Sequence, residues 1–161
     1  MLRLLFPVIL VVGLFYGCAG RTYKIVTPTM SPTLKVGDVR HATKVGKDAE
    51  LKRFDIVVFK LPEEIRQELG DAPGSEIISR IIGLPGEKVE VKDGIVYVND
   101  ELLAERFDVT PDKLRSAPPI VVPQNEYYLL GDNRPESADS RHWKKPTILR
   151  SDISGKIEGI E

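Results

Sequence analysis

Residues Lys88 to Asp100 read KVEVKDGIVYVND, and this stretch decides the fold class. Val89 and Val91 alternate with charged residues before Asp93-Gly94, and Val96 and Val98 continue the alternation after it. A period of two marks a strand with one buried face. An Asp-Gly pair between two such runs signals a two-residue hairpin, because both central residues must take positive φ. The same grammar extends outward. FDIVVFK (Phe54 to Lys60) is rich in β-branched and aromatic residues, and EIISRIIGL (Glu76 to Leu84) is closed by Pro85-Gly86. NEYYLLGD (Asn125 to Asp132) and DISGKIEGI (Asp152 to Ile160) complete the set. One short helix is expected at EEIRQEL (Glu63 to Leu69), which follows Pro62, carries its acids at the N-terminal end and stops at Gly70. Leu103 to Ala117 is charged and aperiodic, and reads as a surface excursion with a helical turn at Pro111 to Leu114. Ala117 to Pro123, rich in proline, reads as an edge or a covering loop. The expected body is mostly β and antiparallel, with little helix.

Composition excludes several classes of function. In 161 residues there is one Cys, so no intramolecular disulfide framework exists, and two His leave no Cys/His zinc site. A net charge of −1 gives no global attraction to nucleic acid. No cofactor and no metal are expected. The charges are unevenly placed, however. Arg3 and Arg21 are the only charged residues before residue 22, and the first acid is Asp38. The remaining 140 residues carry 21 bases and 24 acids.

The acid-free end contains LLFPVILVVGLFYGCA (Leu4 to Ala19), sixteen uncharged residues bracketed by Arg3 and Arg21. A membrane-spanning helix needs roughly 20 apolar residues, from about 17 upward. Thr22 and Tyr23 extend the stretch into the interface, with Arg21 snorkelling. Pro7 falls in the first turn, where its missing N–H is tolerated. Three readings fit: a retained single-span anchor, a cleaved signal peptide, and a lipoprotein signal with Cys18 as the lipidated residue. The expectation carried forward is an anchor at residues 4–21 and a β domain at 22–161.

Three stretches depart from what packing alone requires: TPTMSPTLKVGDV (Thr27 to Val39), SRIIGLPGEKVEV (Ser79 to Val91) and GDNRPESADSRHW (Gly131 to Trp143). In this order, behind an apolar segment, they resemble the boxes of the bacterial type I signal peptidases, membrane-bound serine proteases of the Ser-Lys kind. The family's boxes run Ser-Met-x-Pro-Thr-Leu, Gly-Asp-Ile-Val-Val-Phe, Lys-Arg-Val-x-Gly-Leu-Pro-Gly-Asp and Gly-Asp-Asn-Arg-x-x-Ser-x-Asp-Ser-Arg. Here they stand as Thr29 to Leu34, Phe54 to Phe59, Ser79 to Glu87 and Gly131 to Arg141. The resemblance implies a signal-peptidase-like β domain on the extracytoplasmic side of the cytoplasmic membrane. It also implies membrane lipid as surroundings and the signal peptides of exported preproteins as partners. In that family a Ser hydroxyl attacks the scissile carbonyl while a neutral, desolvated Lys takes its proton.

Both positions are substituted. Thr29 stands at the nucleophile position, where its extra methyl crowds the line of attack. Ser79 stands at the general-base position, and a neutral hydroxyl is too weak a base to take its place. Arg80 is no substitute, because a guanidinium stays protonated. Neither His41 nor His142 is expected to reach the site. Pro28 replaces a common Gly, and Thr27 occupies the oxyanion position, where it still donates, as does the Thr29 backbone N–H. The resemblance makes Ser137 the residue that orients the base, with the pair Asp139 and Arg141 fixing its loop. The expectation is a member of that fold that acts on or binds signal peptides and is catalytically impaired or silent. The alternative is an active peptidase with Thr29 as nucleophile and a non-standard base, such as Lys35, Lys60 or a water.

Overall fold

A computed structural model describes residues 20–70 and 76–160. The expected anchor from Leu4 to Ala19 lies outside the described residues, among which no helix is long and apolar enough to cross a membrane. Eleven strands among them form two antiparallel sheets. They are β1 (Gly20–Lys24), β2 (Val39–Lys44), β3 (Ile56–Lys60), β4 (Glu76–Gly83), β5 (Lys88–Lys92), β6 (Ile95–Val98), β7 (Glu101–Leu102), β8 (Ala117–Val121), β9 (Glu126–Leu130), β10 (Ile148–Leu149) and β11 (Ile153–Ile157). The seven-stranded sheet has the order β1-β2-β11-β3-β4-β9-β10, and the four-stranded sheet the order β7-β6-β5-β8.

The quoted hairpin forms as expected. β5 and β6 pair from Val89↔Val98 to Lys92↔Ile95, and Asp93 and Gly94 take φ of 49° and 77°. Helix α1 spans Glu63–Leu69 and ends on Gly70 in the left-handed conformation. β3 shows why Ile56 to Phe59 are apolar without alternation: the strand is covered on both faces. Val57 and Phe59 enter a core with Leu61, Ile65, Ile81, Leu129 and Trp143. Ile56 and Val58 enter a second core with Tyr23, Ile25, Met30, Leu34 and Ile78. A third core joins the two sheets through Ile82, Tyr128, Leu130, Val89, Val91 and Val96.

Three expectations need correction. Thr22 and Tyr23 do not prolong the apolar segment. With Arg21 they lie in β1, paired to β2 from Gly20↔Thr43 to Lys24↔Val39, and the Tyr23 ring is buried in the second core. The β2 ladder satisfies their backbone groups, which an interfacial extension would leave to solvent. Pro111 to Leu114 forms a hydrogen-bonded turn, with the Arg115 N–H donating to the Asp112 carbonyl, and no helix. The excursion after Leu103 is also not purely superficial, because Leu103 and Phe107 pack against the third core. Proline-rich β8 does lie at a sheet edge, where a missing N–H is harmless.

Candidate active site

The chain leaves β1 extended, and Pro28–Met30 then makes a single 3-10 turn. Buried Met30 and Leu34 pin this turn to the second core, and the Ser31 N–H closes it on the Pro28 carbonyl at 2.9 Å. Thr29 is thereby held half-buried at the rim of the sheet, its hydroxyl 3.3 Å from that of Thr27. From the other side, Asn133 fastens the turn: its backbone N–H donates to the Thr29 carbonyl at 3.0 Å and its side-chain amide to the Pro28 carbonyl at 3.1 Å.

Gly131 is the point of closest approach. A Cβ there would stand 2.6 Å from the Thr29 carbonyl oxygen and 2.7 Å from Ser137 Cβ, with Ser137 Oγ nearer still. The Thr29 carbonyl and the buried Ser137 side chain therefore both crowd a bare Cα. Fully buried Asp139 holds the loop that carries Ser137. Its carboxylate accepts from the Gly131 N–H at 3.1 Å and from the Arg141 guanidinium through two bonds of 2.8 Å. Arg141 also donates to the Arg134 carbonyl at 2.7 Å, and Arg134 donates back to the Gly131 carbonyl at 2.9 Å. Burial pushes the Asp139 carboxyl up, but bonding to His142 and Arg141 outweighs it and holds the group well below the usual carboxylate range. The imidazole Nδ1 of His142 lies 3.4 Å from the Asp139 N–H and 3.6 Å from its carboxylate. Arg141, with two bonds of 2.8 Å, is the nearer partner of the carboxylate.

Ser79 lies in β4 directly opposite Val57, only 3% exposed. Its place in the strand puts it on the face that Ile77 and Ile81 turn to the first core. No hydrogen bond joins Ser79 to Thr29 or Ser137 among the described residues. Arg80, on the opposite face, is fully engaged. Its guanidinium grips Asp132 through bonds of 2.8 and 2.6 Å, donates to the Phe54 carbonyl at 3.0 Å, and lies 3.8 Å from the Phe107 ring centroid. The Thr33 hydroxyl donates to the same Asp132 carboxylate at 2.5 Å. Lys35 and Lys60 are both exposed.

The sequence reading assigned no part to Phe107, Thr33 or Glu76. Phe107 sits in a charged, aperiodic stretch with no local signal. Its ring also meets Phe54 edge-on at 5.3 Å, and Phe54 has φ of 76° at a place where the quoted family box has Gly. Glu76 borders a shallow, open groove beside Thr27 and Thr29. Ile25, Val26, Met30 and Leu34 form one wall, and Ile77 and Ile78 the other. β4 pairs with β9 only from Arg80 to Gly83, so the edge of Glu76 to Ser79 away from β3 carries no strand among the described residues.

The sequence matches the family described as Signal peptidase, peptidase S26, over residues 1–160. It is 38% identical over 140 residues to the probable signal peptidase I-2 of Synechocystis sp., covering 84% of this chain and 61% of that protein. It is 30% identical over 193 residues to signal peptidase I of Pseudomonas aeruginosa, covering 94% of this chain and 65% of that protein. Signal peptidase I V of Bacillus subtilis is 35% identical over 153 residues, with coverage of 86% and 84%. Against the first three curated relatives the chain spans only 60–65% of their length.

Proposed function

The chain belongs to the signal peptidase family, peptidase S26, and from that membership we propose that it holds signal peptides of exported preproteins in the groove beside Thr29 but hydrolyses them poorly or not at all. The observation that carries the second half is Ser79. A hydroxyl nucleophile needs a base within hydrogen-bond reach, and general-base help is worth about 10²–10⁴-fold in rate. The base position holds a buried hydroxyl, its neighbour Arg80 is a permanently charged cation paired to Asp132, and Lys35 and Lys60 face solvent. The first half rests on the groove. Residues Ile25 to Thr27 and the edge of β4 that carries no strand among the described residues flank an apolar trough, which suits an added extended strand. The apolar stretch Leu4 to Ala19 would keep this groove at the outer surface of the cytoplasmic membrane.

The test compares the full chain in detergent with the double variant Thr29→Ser, Ser79→Lys on a preprotein substrate, alongside binding of the isolated signal peptide. The expected result is binding by both and cleavage by the double variant alone. Cleavage by the parent chain at a comparable rate, abolished by Thr29→Ala, would refute the proposal.

A further inference from the structure

One residue holds both carbonyls that flank the Thr29 Cα. The Asn133 side-chain amide donates to the Pro28 carbonyl at 3.1 Å, and the Asn133 backbone N–H donates to the Thr29 carbonyl at 3.0 Å. Those carbonyls belong to the two rigid peptide planes that meet at the Thr29 Cα. With both planes held, φ and ψ of Thr29 are fixed, and the direction of its Cα–Cβ bond is fixed with them. The Pro28–Thr29 peptide is trans, so holding the Pro28 carbonyl also aims the Thr29 N–H to the opposite side. Other restraints on the turn act differently. Met30 and Leu34 hold it by apolar burial, which has no direction. The Ser31 N–H bond to the Pro28 carbonyl lies within the turn and travels with it.

Asn133 is itself held in the same way. The Thr110 N–H donates to the Asp132 carbonyl at 3.0 Å, and the Arg134 N–H donates to the Thr110 carbonyl at 3.0 Å. The peptide planes on either side of Asn133 are therefore fixed as well. Both of its neighbours are buried and ion-paired, Asp132 to Arg80 and Arg134 to Glu105.

We infer that Asn133 is the positioning residue for Thr29: it sets the direction in which the side chain at the nucleophile position meets a peptide carbonyl. The inference rests on the reading of Thr29 as that position, and it supplies what orients the side chain there. Misplacing a reacting group by about 1 Å costs about 100-fold in rate. Affinity for the peptide is carried by the groove walls, so a lost orientation appears in kcat and not in KM.

The experiment uses the full chain in detergent micelles, with Asn133→Ala and the isosteric Asn133→Asp, whose carboxylate has no proton to donate. In the Thr29→Ser, Ser79→Lys background, each should lower kcat on a preprotein by at least about tenfold, with KM changed less than about twofold. With Thr29 and Ser79 in place, the backbone order parameter of Thr29 from NMR relaxation should fall from about 0.85 to below about 0.6 in both variants. That of Val57 in β3 should stay at about 0.85. Asn133→Asp keeps the side-chain volume and decides the matter if Asn133→Ala fails to fold. An unchanged order parameter at Thr29, a kcat within about threefold of the background, or a loss confined to KM overturns the inference. If the Thr29→Ser, Ser79→Lys background cleaves nothing, the proposed function is overturned, and the Thr29 order parameter still decides the role of Asn133.

Discussion

Replacing Gly131 by Ala tests whether the Thr29 turn and the Ser137 loop are packed as closely as described. The added methyl would lie 2.6 Å from the Thr29 carbonyl oxygen and 2.7 Å from Ser137 Cβ, where ordinary contacts need more than 3.4 Å. Both walls must retreat by roughly 0.7 Å, and neither is free to do so. One is tied to Asn133 by two hydrogen bonds, and the other belongs to the buried loop held by Asp139. Overpacking of this kind costs about 1–3 kcal/mol, and loosening the bond from Asn133 to Thr29 adds about 1 kcal/mol. A loss of about 3 kcal/mol lowers the unfolding midpoint by roughly 6–12 °C for a chain of this size. The single tryptophan, Trp143, is 5% exposed in the first core and reports unfolding by its fluorescence in urea or on heating. Adding Ser137→Gly removes one of the two obstructed walls and should restore about 1 kcal/mol, a coupling visible only in the double variant. If Gly131→Ala stays within about 0.5 kcal/mol of the parent, or if the two substitutions merely add, the close approach of the Thr29 carbonyl and Ser137 to Gly131 is wrong.

Asp139→Asn should cost about 3–5 kcal/mol at neutral pH, since it leaves buried Arg141 with only Asp112, 4.0 Å away, as counter-charge. The folded Asp139 carboxyl lies below its unfolded value of about 3.9, so its stabilisation is complete above that value and is lost as pH falls through the folded one. Urea titrations between about pH 5 and pH 2 should therefore fall less steeply in Asp139→Asn than in the parent chain; equal slopes would remove Asp139 from the account of acid lability. Phe107→Ala should lower stability by about 2–3 kcal/mol in chemical denaturation, through lost packing on Phe54 and Arg80. Phe107→Leu should restore the packing and leave a deficit of about 1 kcal/mol for the missing ring face; a Phe107→Leu variant as stable as the parent would show that the face contributes nothing.

What the sequence made legible follows from how far each signal reaches along the chain. The Lys88–Asp100 hairpin, β3 and α1 are readable because period, turn residues and caps all lie within a dozen residues. The start of β1 is not, because Leu4 to Ala19 and Tyr23 are separated by a single charge, Arg21, and only pairing with β2 marks Gly20–Lys24 as a strand. The insertion of β11 between β2 and β3 is a long-range choice that no local window contains. Within the site, Asp139 and Arg141 are two residues apart and could be paired from sequence. Arg80 and Asp132, 52 residues apart, could not, nor could the approach of the Thr29 carbonyl and Ser137 to Gly131. The substituted positions Thr29 and Ser79 stand out only against the pattern of the boxes around them, because a threonine and a serine are unremarked residues anywhere else.

The place of β11 has a consequence for the order in which the chain acquires its structure. β11 bonds to β2 on one side, from Gly155↔Lys44 to Ile157↔Ala42, and to β3 on the other. It leaves the ribosome after every strand it joins. Until then β2 and β3 have no common neighbour, and no backbone ladder among the described residues joins the β1-β2 ribbon to the rest of the sheet. The β5-β6 hairpin can form during synthesis, but the seven-stranded sheet is assembled only when Ile153 to Ile157 emerge. The turn that carries Thr29 rests on the core that Ile157 helps to fill, so Thr29 is set only once β11 is in place.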